Sequence, residues 1–374
     1  MRFETFRFDE VTVNFDRKRV PLSAKQRSER QGNYRYYGAQ GVIDYVDDYI
    51  FDGTYLLIAE DGENLKSQKQ KIAQIAKGKF WVNNHAHIVQ TNERCDLHYL
   101  HYYINGMDLS GYVTGSAQPK LSQANLNAIT LQLPSIVEQK KIVTILGSLD
   151  DKIELNNKIN ENLEQQAFAL FDRLIMKADN SKYRVWDIAY LNPKRPLSKN
   201  AMARCIEMSQ LSASAAFPSG WQMKTFTGGM RFTNGDTLLA RITPCLENGK
   251  AAYINFLDEG EVAFGSTEYI VLAPKEGVPP EYLYCLARYP LFIDYAVKNM
   301  NGSSGRQRVS ADTIGQFFMP CPSESAMKYF GSTVSLLFAK VKYNSFENLR
   351  LTSIRDALLP KLMSGEIDVS NVQL

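Results

Sequence analysis

The sequence predicts a mixed α/β (α+β) fold that is built twice. Two globular domains are joined by two long helices, which form an antiparallel coiled coil. Two observations lead to this prediction: the 374-residue chain repeats itself at a shift of about half its length, and each copy ends in a long segment with heptad spacing of apolar residues. The repeat predicts a pseudo-twofold relation between the two halves.

The two helical segments carry the clearest part of the repeat. One constant shift superimposes their apolar heptad positions, and it also takes Asn156 to Asn344 and Asn160 to Asn348. Each segment therefore has two asparagines in a seam that is otherwise mostly apolar. The sequence predicts that both segments are helices and that the two helices are partners.

An amide in the seam of a coiled coil costs stability and finds its partners in only one register. Because both helices carry a polar pair at the same place, we interpret Asn156, Asn160, Asn344 and Asn348 as residues that set the register of the helix pair. In an antiparallel pair they would meet at the midpoint. The alternative is that the seam bends there and leaves the amides in water.

Shorter motifs extend the repeat upstream of each helix. They are GTYLLIAEDGENL (53–65) with GDTLLARITPCLENG (235–249), GKFWVNNHAHIV (78–89) with GEVAFGSTEYIV (260–271), and GSAQPKLS (115–122) with GSSGRQRVS (302–310). Residues 78–89 and 260–271 are each expected to form one strand. The predicted boundaries are a first globular domain at 1–134, a long helix at 135–178, a second globular domain at 179–322, and a second long helix with a tail at 323–374.

The charge of the chain is nearly balanced, with 43 basic and 40 acidic residues, so net charge does not identify a nucleic-acid-binding protein. Residues 17–37 nevertheless hold seven basic residues and one acidic residue, with tyrosines between them. Basic side chains neutralise phosphates, and hydroxyl and amide groups reach sugar and base edges. This segment is either part of a DNA-binding surface or a flexible solvated loop.

Cysteine usage and hydropathy indicate the compartment. The five cysteines form no CxxC pair, no apolar run is long enough to span a membrane, and the first residues lack the apolar core of a signal peptide. We therefore expect a cytoplasmic protein without membrane contact.

Motifs for catalysis are missing from the sequence. Neither GxxxxGK[ST] nor GxGxxG occurs, and LNPKRP (191–196) lacks the second proline and the aromatic residue of an adenine methyltransferase signature. Glu247 and Lys250 do not have the spacing of a nuclease site and are interpreted as loop residues. We predict no catalytic residue in this chain.

The four histidines lie close together, between residues 85 and 101, and one interpretation is a metal cluster. The second copy has Thr267 and Tyr269 where the first has His85 and His87, so the repeat does not support a shared metal site. We predict no metal ligand. We expect His85 and His87, which would share one face of a strand, to form with Asn83 and Asn84 a polar strand that lies near DNA or packs under it.

Several stretches resemble one protein family. LPSIVEQKKIVTILGSLDDKIELNNKINENLEQQAFALF resembles the central conserved helix of type I restriction–modification specificity (S) subunits, and LLARITPCLENGKAAYI, NGSSGRQRVS and LLPKLMSGEIDVS resemble parts of the second half of that family. The resemblance implies two target recognition domains, each reading one half of a bipartite DNA site. It also implies a non-catalytic specificity subunit.

The partners and cofactors follow from the same resemblance. It implies double-stranded DNA, modification (methyltransferase) subunits, and restriction subunits that join through the complex. The predicted pseudo-twofold gives two similar docking surfaces, so two modification subunits are expected per chain. No cofactor is expected in this chain: S-adenosylmethionine, ATP and Mg²⁺ would act in partner subunits. The alternatives are a free-standing DNA-binding or regulatory protein without a methyltransferase partner, and a fused enzyme.

The length of the helices suggests a mechanism for half-site spacing. A helix of about 40 residues is roughly 60 Å long, and half-sites read in successive major grooves lie one helical turn or a multiple apart. The coiled coil is therefore expected to fix the spacer between the half-sites.

The candidate DNA-contacting residues are basic, amide, hydroxyl and aromatic side chains of the basic segment and the repeated motifs. In the first domain they are Lys25, Arg27, Arg30, Tyr34, Arg35, Tyr36, Asn83, Asn84, His85, Gln118 and Lys120. In the second domain they are Arg241, Thr243, Lys250, Ser266, Thr267, Arg306, Gln307 and Arg308.

Overall fold

The computed structural model describes residues 1–115, 118–303 and 305–373. They form two compact units, Met1–Asp150 with Ser353–Leu374, and Asp151–Thr352. Ser116 and Ala117 of GSAQPKLS and Ser304 of GSSGRQRVS lie outside the described residues. Within the described ranges, no helix combines the length and the apolar character needed to cross a membrane.

The first unit is built on one six-stranded sheet and a separate pair of strands. The strands of the unit are β1 (Glu4–Arg7), β2 (Thr12–Asn14), β3 (Gln31–Gly38), β4 (Gly41–Val46), β5 (Phe51–Ala59), β6 (Ala73–Val82), β7 (Ala86–Thr91) and β8 (Thr130–Leu133). Six of them pair in the order β2-β7-β5-β6-β3-β4, and β1 pairs with β8. The pairs are antiparallel except β3 with β6, which is parallel.

Helices cover one face of this sheet. They are α1 (Phe8–Val11), α2 (Ala24–Glu29), α3 (Asn64–Ser67), α4 (Leu97–Gly106), α5 (Gln123–Asn127) and the start of α6 (Ile136–Met176). Tyr99 and Leu100 of α4 pack with Leu56 and Ile58 of β5 in one buried cluster. Burying these apolar side chains is the main favourable contribution to folding of this unit.

The described strands of the second unit form two four-stranded sheets and one separate pair. The strands are β9 (Asp179–Arg184), β10 (Ala189–Leu191), β11 (Met202–Ile206), β12 (Gln222–Thr225), β13 (Met230–Phe232), β14 (Thr237–Ala240), β15 (Ala251–Tyr253), β16 (Ala263–Gly265), β17 (Tyr269–Pro274) and β18 (Phe318–Cys321). The sheet orders are β10-β17-β14-β15 and β12-β11-β16-β13, and β18 pairs with β9.

The second unit contains most of α6 and the first part of α11 (Glu324–Ser364). Its shorter helices are α7 (Val185–Ile188), α8 (Pro280–Ala287), α9 (Pro290–Lys298) and α10 (Ala311–Gly315). Aromatic residues dominate its core. Phe171 of α6, Tyr282 of α8 and Phe330 of α11 pack with ring centroids 5.0–6.2 Å apart. This aromatic cluster joins both long helices to the globular part of the unit.

Serine caps begin the corresponding helices of both copies. The Ser122 and Ser310 hydroxyls accept hydrogen bonds from backbone N–H groups at the starts of α5 and α10. Ser135 caps α6 in a capping box with Glu138, and Ser323 caps α11. A serine oxygen that satisfies a free N–H of the first turn stabilises the start of a helix. The caps explain why the long helices begin at residues 136 and 324.

The two long helices run antiparallel, which confirms the predicted fold class. The amide nitrogen of Asn156 donates to Asn348 (2.9 Å), and that of Asn344 donates to Asn160 (2.9 Å). Asn156 and Asn344 are 1% and 0% exposed, so the alternative that leaves the amides in water is wrong for these two residues. Their carbonyl oxygens are buried without a partner among the described residues. The structure brings the four asparagines together as an antiparallel pairing requires.

The pairing defines which substitutions test the seam. We expect the double variant Asn160→Leu, Asn344→Leu to match or exceed the wild-type melting temperature, because it removes a buried polar pair and adds apolar contact. The single variant Asn344→Leu leaves the side-chain oxygen of Asn160 without its donor, while the Asn160 amide nitrogen still donates to Ser345 (3.2 Å). This variant should lose about 1–3 kcal/mol of stability. Thermal unfolding of the three proteins checks this. A double variant less stable than the single variant would contradict the pairing argument.

One element of the sequence prediction was wrong in both copies. Residues 78–89 and 260–271 do not form single strands: a turn separates β6 from β7, and another separates β16 from β17. Asn83–His85 lie between β6 and β7, and Ser266–Glu268 lie between β16 and β17. The polar residues that interrupt each apolar run therefore reverse the chain, so His85 and His87 do not share one strand face.

Candidate nucleic-acid interface

In the first unit, three loops meet at a junction. They are the loop after β5, the turn between β6 and β7, and the segments 114–115 and 118–120. The Glu60 N–H donates to the His85 carbonyl (2.9 Å), and the Leu121 N–H donates to the Glu60 carbonyl (2.8 Å). Thr114 and Lys120 exchange both backbone hydrogen bonds (2.7 and 2.8 Å). Backbone contacts therefore hold the three loops together.

The second unit contains the same junction. The Arg241 N–H donates to the Glu268 carbonyl (3.0 Å), and the Val309 N–H donates to the Arg241 carbonyl (3.0 Å). Asn301 and Arg308 exchange both backbone hydrogen bonds (2.9 Å each). These backbone hydrogen bonds define which residues are equivalent in the two junctions. Arg241 is equivalent to Glu60, Glu268 is equivalent to His85, and Arg308 is equivalent to Lys120. The backbone is repeated, whereas the side chains differ.

A glycine permits the turn of the third loop in each copy. Gly115 has φ +85°, and a Cβ atom there would lie 2.2 Å from the Gln118 carbonyl oxygen. Gly302 has φ +128°, and a Cβ atom there would lie 3.1 Å from the Arg306 carbonyl oxygen. Only glycine adopts such conformations without strain. These two positions link the repeated Gly-Ser motif to the shape of the junction.

Gly115 offers a test of the first junction. We expect Gly115→Ala to displace the loop that carries Gln118 and Lys120, at a cost of about 1–3 kcal/mol for the strained conformation. Gly111→Ala is the matched control, since a Cβ atom at Gly111 meets nothing within 4 Å. Hydrogen exchange at residues 114–121 should accelerate in the first variant only. Equal exchange in both variants would contradict this assignment.

An ion-pair network surrounds the first junction. Arg19 and Lys120 bind the two carboxylate oxygens of Glu60 at 2.7 and 3.2 Å, and His85 lies 2.7 Å from Asp61. Burial alone would raise the pKa of Glu60, but the hydrogen bond from Arg19, the charge of His87 and the hydrogen bond from Lys120 together outweigh it, and the pKa of Glu60 is lowered. The cations near this junction are thus largely neutralised by acids.

Beneath this network lies a buried histidine. His87 is 1% exposed; its Nδ1 lies 2.6 Å from Asp16 and its Nε2 lies 2.8 Å from the Leu121 carbonyl oxygen. A carbonyl only accepts, so Nε2 carries a proton and donates it. Asp16 also accepts the Ile88 N–H at 2.8 Å. The Asp16–His87 pair therefore anchors the end of the loop that carries Lys120.

In the second junction a bidentate pair replaces this network. The Arg308 Nε lies 2.9 Å from each Glu268 carboxylate oxygen, and its Nη2 donates to one of them at 2.8 Å. The Arg308 Nη1 donates to the Arg306 carbonyl (2.9 Å). The hydrogen bonds from Arg308 lower the pKa of Glu268. Arg308 is held in one orientation by these bonds.

The structure brings many of the candidate residues to the two junctions. The first holds Asn84, His85, Gln118 and Lys120, all exposed. The second holds Arg241, Thr243, Ser266, Thr267, Arg306, Gln307 and Arg308, which are exposed or partly buried. Lys250 lies beside the second junction, at the start of β15, and donates to the Met208 carbonyl (3.4 Å). These residues are distant in sequence and were selected by motif alone.

The remaining first-unit candidates lie on α2 and β3. Lys25, Tyr34 and Arg35 are exposed or partly buried there. Arg27 pairs with Asp44 and Arg30 pairs with Asp47. The segment that holds them is regular structure, so the alternative of a flexible loop is wrong.

Two candidates need correction because they are buried. Tyr36 is 0% exposed, and its hydroxyl accepts the Leu22 N–H at 2.9 Å, so its ring cannot stack on a base. Asn83 is 7% exposed, and its carbonyl oxygen accepts the His85 N–H at 2.8 Å. Both side chains hold the local fold. Among the described residues, no group of three or more potential ligands could hold a metal ion.

Four residues of the junctions escaped the sequence reasoning: Arg19, Asp16, Glu60 and Glu268. Arg19 lies in the basic segment but was not selected individually, and it also donates to the Ala86 carbonyl (2.9 Å). The three acids were passed over because only basic, amide, hydroxyl and aromatic side chains were considered as DNA contacts. Glu60 and Glu268 lie within the repeated motifs, which was the available signal, whereas Asp16 lies outside them.

Comparisons with known proteins agree with this architecture. Residues 2–165 match the model of the type I restriction modification DNA specificity domain. A Haemophilus influenzae protein, provisionally named a type I restriction enzyme specificity subunit, is 37% identical over 141 residues, which are 38% of this chain and 36% of that protein. This chain therefore spans about a third of that relative.

Two further matches are longer and include both copies of the internal repeat. The type I restriction enzyme HindI specificity subunit of Haemophilus influenzae is 23% identical over 327 residues, covering 67% of this chain and 71% of that protein. The crystal structure of the type I restriction–modification system S subunit from M. genitalium matches with a TM-score of 0.62 at 16% identity, over 97% of this chain and 96% of that one. At this identity the structural match concerns the fold.

Proposed function

Because this chain belongs to the family of type I restriction–modification specificity subunits, we propose that each of its two junctions contacts one half of a bipartite DNA site. The repeated junction is the observation that carries this proposal. The same backbone frame occurs twice and carries different side chains, so the two copies are suited to two half-sites of different sequence. Function as a free-standing regulator would not require two such frames joined by paired helices.

The proposed division of roles follows the chemistry of the exposed groups. Lys120 and Arg306 contact phosphates or bases at the two junctions, while the amides of Gln118 and Gln307 are suited to base edges. Lys25 and Arg35 extend the positive surface of the first unit. Phosphate contacts set the position on DNA, and base contacts set the sequence that is read.

The chain itself would perform no chemistry. We infer that modification subunits, two per chain, supply the S-adenosylmethionine-dependent methylation of adenine, and that restriction subunits supply the ATP- and Mg²⁺-dependent steps. The paired long helices would set the spacer between half-sites and provide docking surfaces for the modification subunits. Cofactors would therefore bind to partner subunits only.

Methylation profiling tests the proposal. Genomic DNA from cells that express the modification subunit with this chain should be methylated at one bipartite motif, and DNA from cells that lack this chain should not be. Purified chain alone, incubated with S-adenosylmethionine and DNA, should transfer no methyl group. A motif unchanged by deletion of this chain would refute the proposed role, and methyl transfer by the chain alone would reveal a fused enzyme.

A further inference from the structure

Arg241 is the unusual cation of the second junction. It is partly buried, and its Nε is shielded from solvent and has no hydrogen-bond partner in the described part of the chain. Its guanidinium also makes no ion pair within the described ranges. The pKa of Glu268 is lowered mainly by the hydrogen bonds from Arg308, to which the charge of Arg241 adds. A partly desolvated guanidinium without an acceptor is costly, so a ligand that supplies acceptors would be favoured.

The neighbouring groups leave Arg241 free. The Nε, Nη1 and Nη2 atoms of Arg308 are all engaged, with Glu268 and with the Arg306 carbonyl. Glu268 therefore satisfies Arg308 and not Arg241. Thr243, two residues further on, also has a buried hydroxyl oxygen without a partner among the described residues. Two side chains of the segment 241–243 thus have buried polar atoms without a partner among the described residues.

The first junction differs at the equivalent place. Glu60 stands where Arg241 stands in the second copy, and Arg19 and Lys120 bind both of its carboxylate oxygens. In the first copy both carboxylate oxygens of the acid at this position are therefore bound. In the second copy the Nε of the arginine at this position has no acceptor among the described residues. The backbone hydrogen bonds are the same in both copies, so the two junctions differ here in side-chain charge and not in backbone frame.

We propose that Arg241 determines specificity in the second recognition domain by donating to the O6 and N7 acceptors of a guanine, and that Glu268 is a positioning residue. This rests on the proposed function and deepens it. Two adjacent acceptors on the major-groove edge match the forked donors of a guanidinium. Glu268 acts through Arg308: the fixed pair keeps Arg308 away from the base and holds the turn against which Arg241 lies.

The test uses the full chain with its modification subunits and reads the methylated motif genome-wide. In Arg241→Ala we expect one G·C position of one half-site to lose discrimination by roughly 10- to 100-fold, with the other half-site unchanged. Arg241→Lys should relax the same position, because an ammonium lacks the fork. Glu268→Gln should relax that position to a smaller extent, and Glu268→Asp should restore part of it. Lys182→Ala removes an exposed charge of β9 and should leave the motif unchanged.

An unchanged motif or a uniform loss of methylation would contradict the inference. An unchanged motif in Arg241→Ala and Arg241→Lys, with methylation intact, would overturn the reading role while the proposed function stands. A uniform loss of methylation at all sequence variants would make Arg241 a phosphate contact. If thermal unfolding shows that Arg241→Ala does not fold, the methylated motif of Arg241→Lys tests the inference instead. If no motif depends on this chain even in the wild type, the proposed function itself fails.

Discussion

Seven residues inserted into each long helix, after Asp151 and after Thr352, should lengthen the spacer of the methylated motif or abolish methylation. One heptad adds about 10 Å of helix at 1.5 Å per residue and preserves the phase of the seam. At 3.4 Å per base pair this corresponds to about 3 bp. Both half-site sequences should remain, because neither junction is altered.

The positions of the insertions come from contacts in the structure. Asp150 binds Tyr102 and Arg355 at 2.7 Å within the first unit. Lys152 binds Glu347 at 3.3 Å within the second unit. Insertion between these contacts leaves both sets of contacts intact. The asparagine pairs fix the antiparallel register, in which the bond between residues 151 and 152 lies opposite the bond between residues 352 and 353.

A single insertion after Asp151 is the control. It leaves the two helices unequal, so it should lower stability and abolish methylation instead of lengthening the spacer. Methylation profiling of the double insertion, beside thermal unfolding of both variants, separates these outcomes. Full methylation with the original spacer in the double insertion would show that the paired helices do not set the half-site distance.

Asp16→Ala should disrupt the first junction and cost about 3–5 kcal/mol, the usual effect of breaking a buried charged pair. It removes the acceptor of both His87 Nδ1 and the Ile88 N–H, and His87 in turn holds the Leu121 carbonyl. We expect faster hydrogen exchange in residues 86–91 and 114–121, and loss of one half-site from the methylated motif. Residues 237–274 of the second unit should keep their protection.

Asp16→Asn is the conservative comparison. An amide oxygen still accepts the Ile88 N–H, so the loss should be smaller than in the alanine variant. The acid also has a testable pH dependence. Burial opposes ionisation of Asp16, but the hydrogen bond from His87, the charge of His87, the Ile88 N–H and the charge of Arg19 together outweigh it, and the folded-state pKa of Asp16 is lowered. Its contribution is therefore present above the unfolded pKa of about 4 and is lost as the pH falls through the folded pKa. Equal stability of wild type and Asp16→Ala at neutral pH would refute the anchoring role.

Sequence periodicity was sufficient for the long helices and their pairing. Heptad spacing and asparagines at the same phase are local or repeated signals, and they led to helices near Ile136–Met176 and Glu324–Ser364. The partner of each asparagine follows once the helices are antiparallel. These properties depend on spacing along one axis, and sequence records spacing directly.

Strand breaks and burial were harder to predict. In QGNYRYYG, the tyrosines are amphipathic and suit either face of a sheet, and a register shift between Tyr36 and Tyr37 interrupts the simple alternation. Tyr36 is therefore buried where the sequence suggested an exposed ring. The turn at Asn83–His85 was missed because apolar strands flank it closely and no glycine or proline marks it.

By itself the sequence determined the duplicated architecture, the two long helices and the motifs that form the junctions, because these depend on local propensity and on repetition. Only the tertiary structure decided which charges are satisfied. Glu268 reaches Arg308, while Arg241 finds no acceptor in the described part of the chain. Such pairings join residues tens of positions apart, and their energies depend on distance and desolvation, which a linear sequence does not specify.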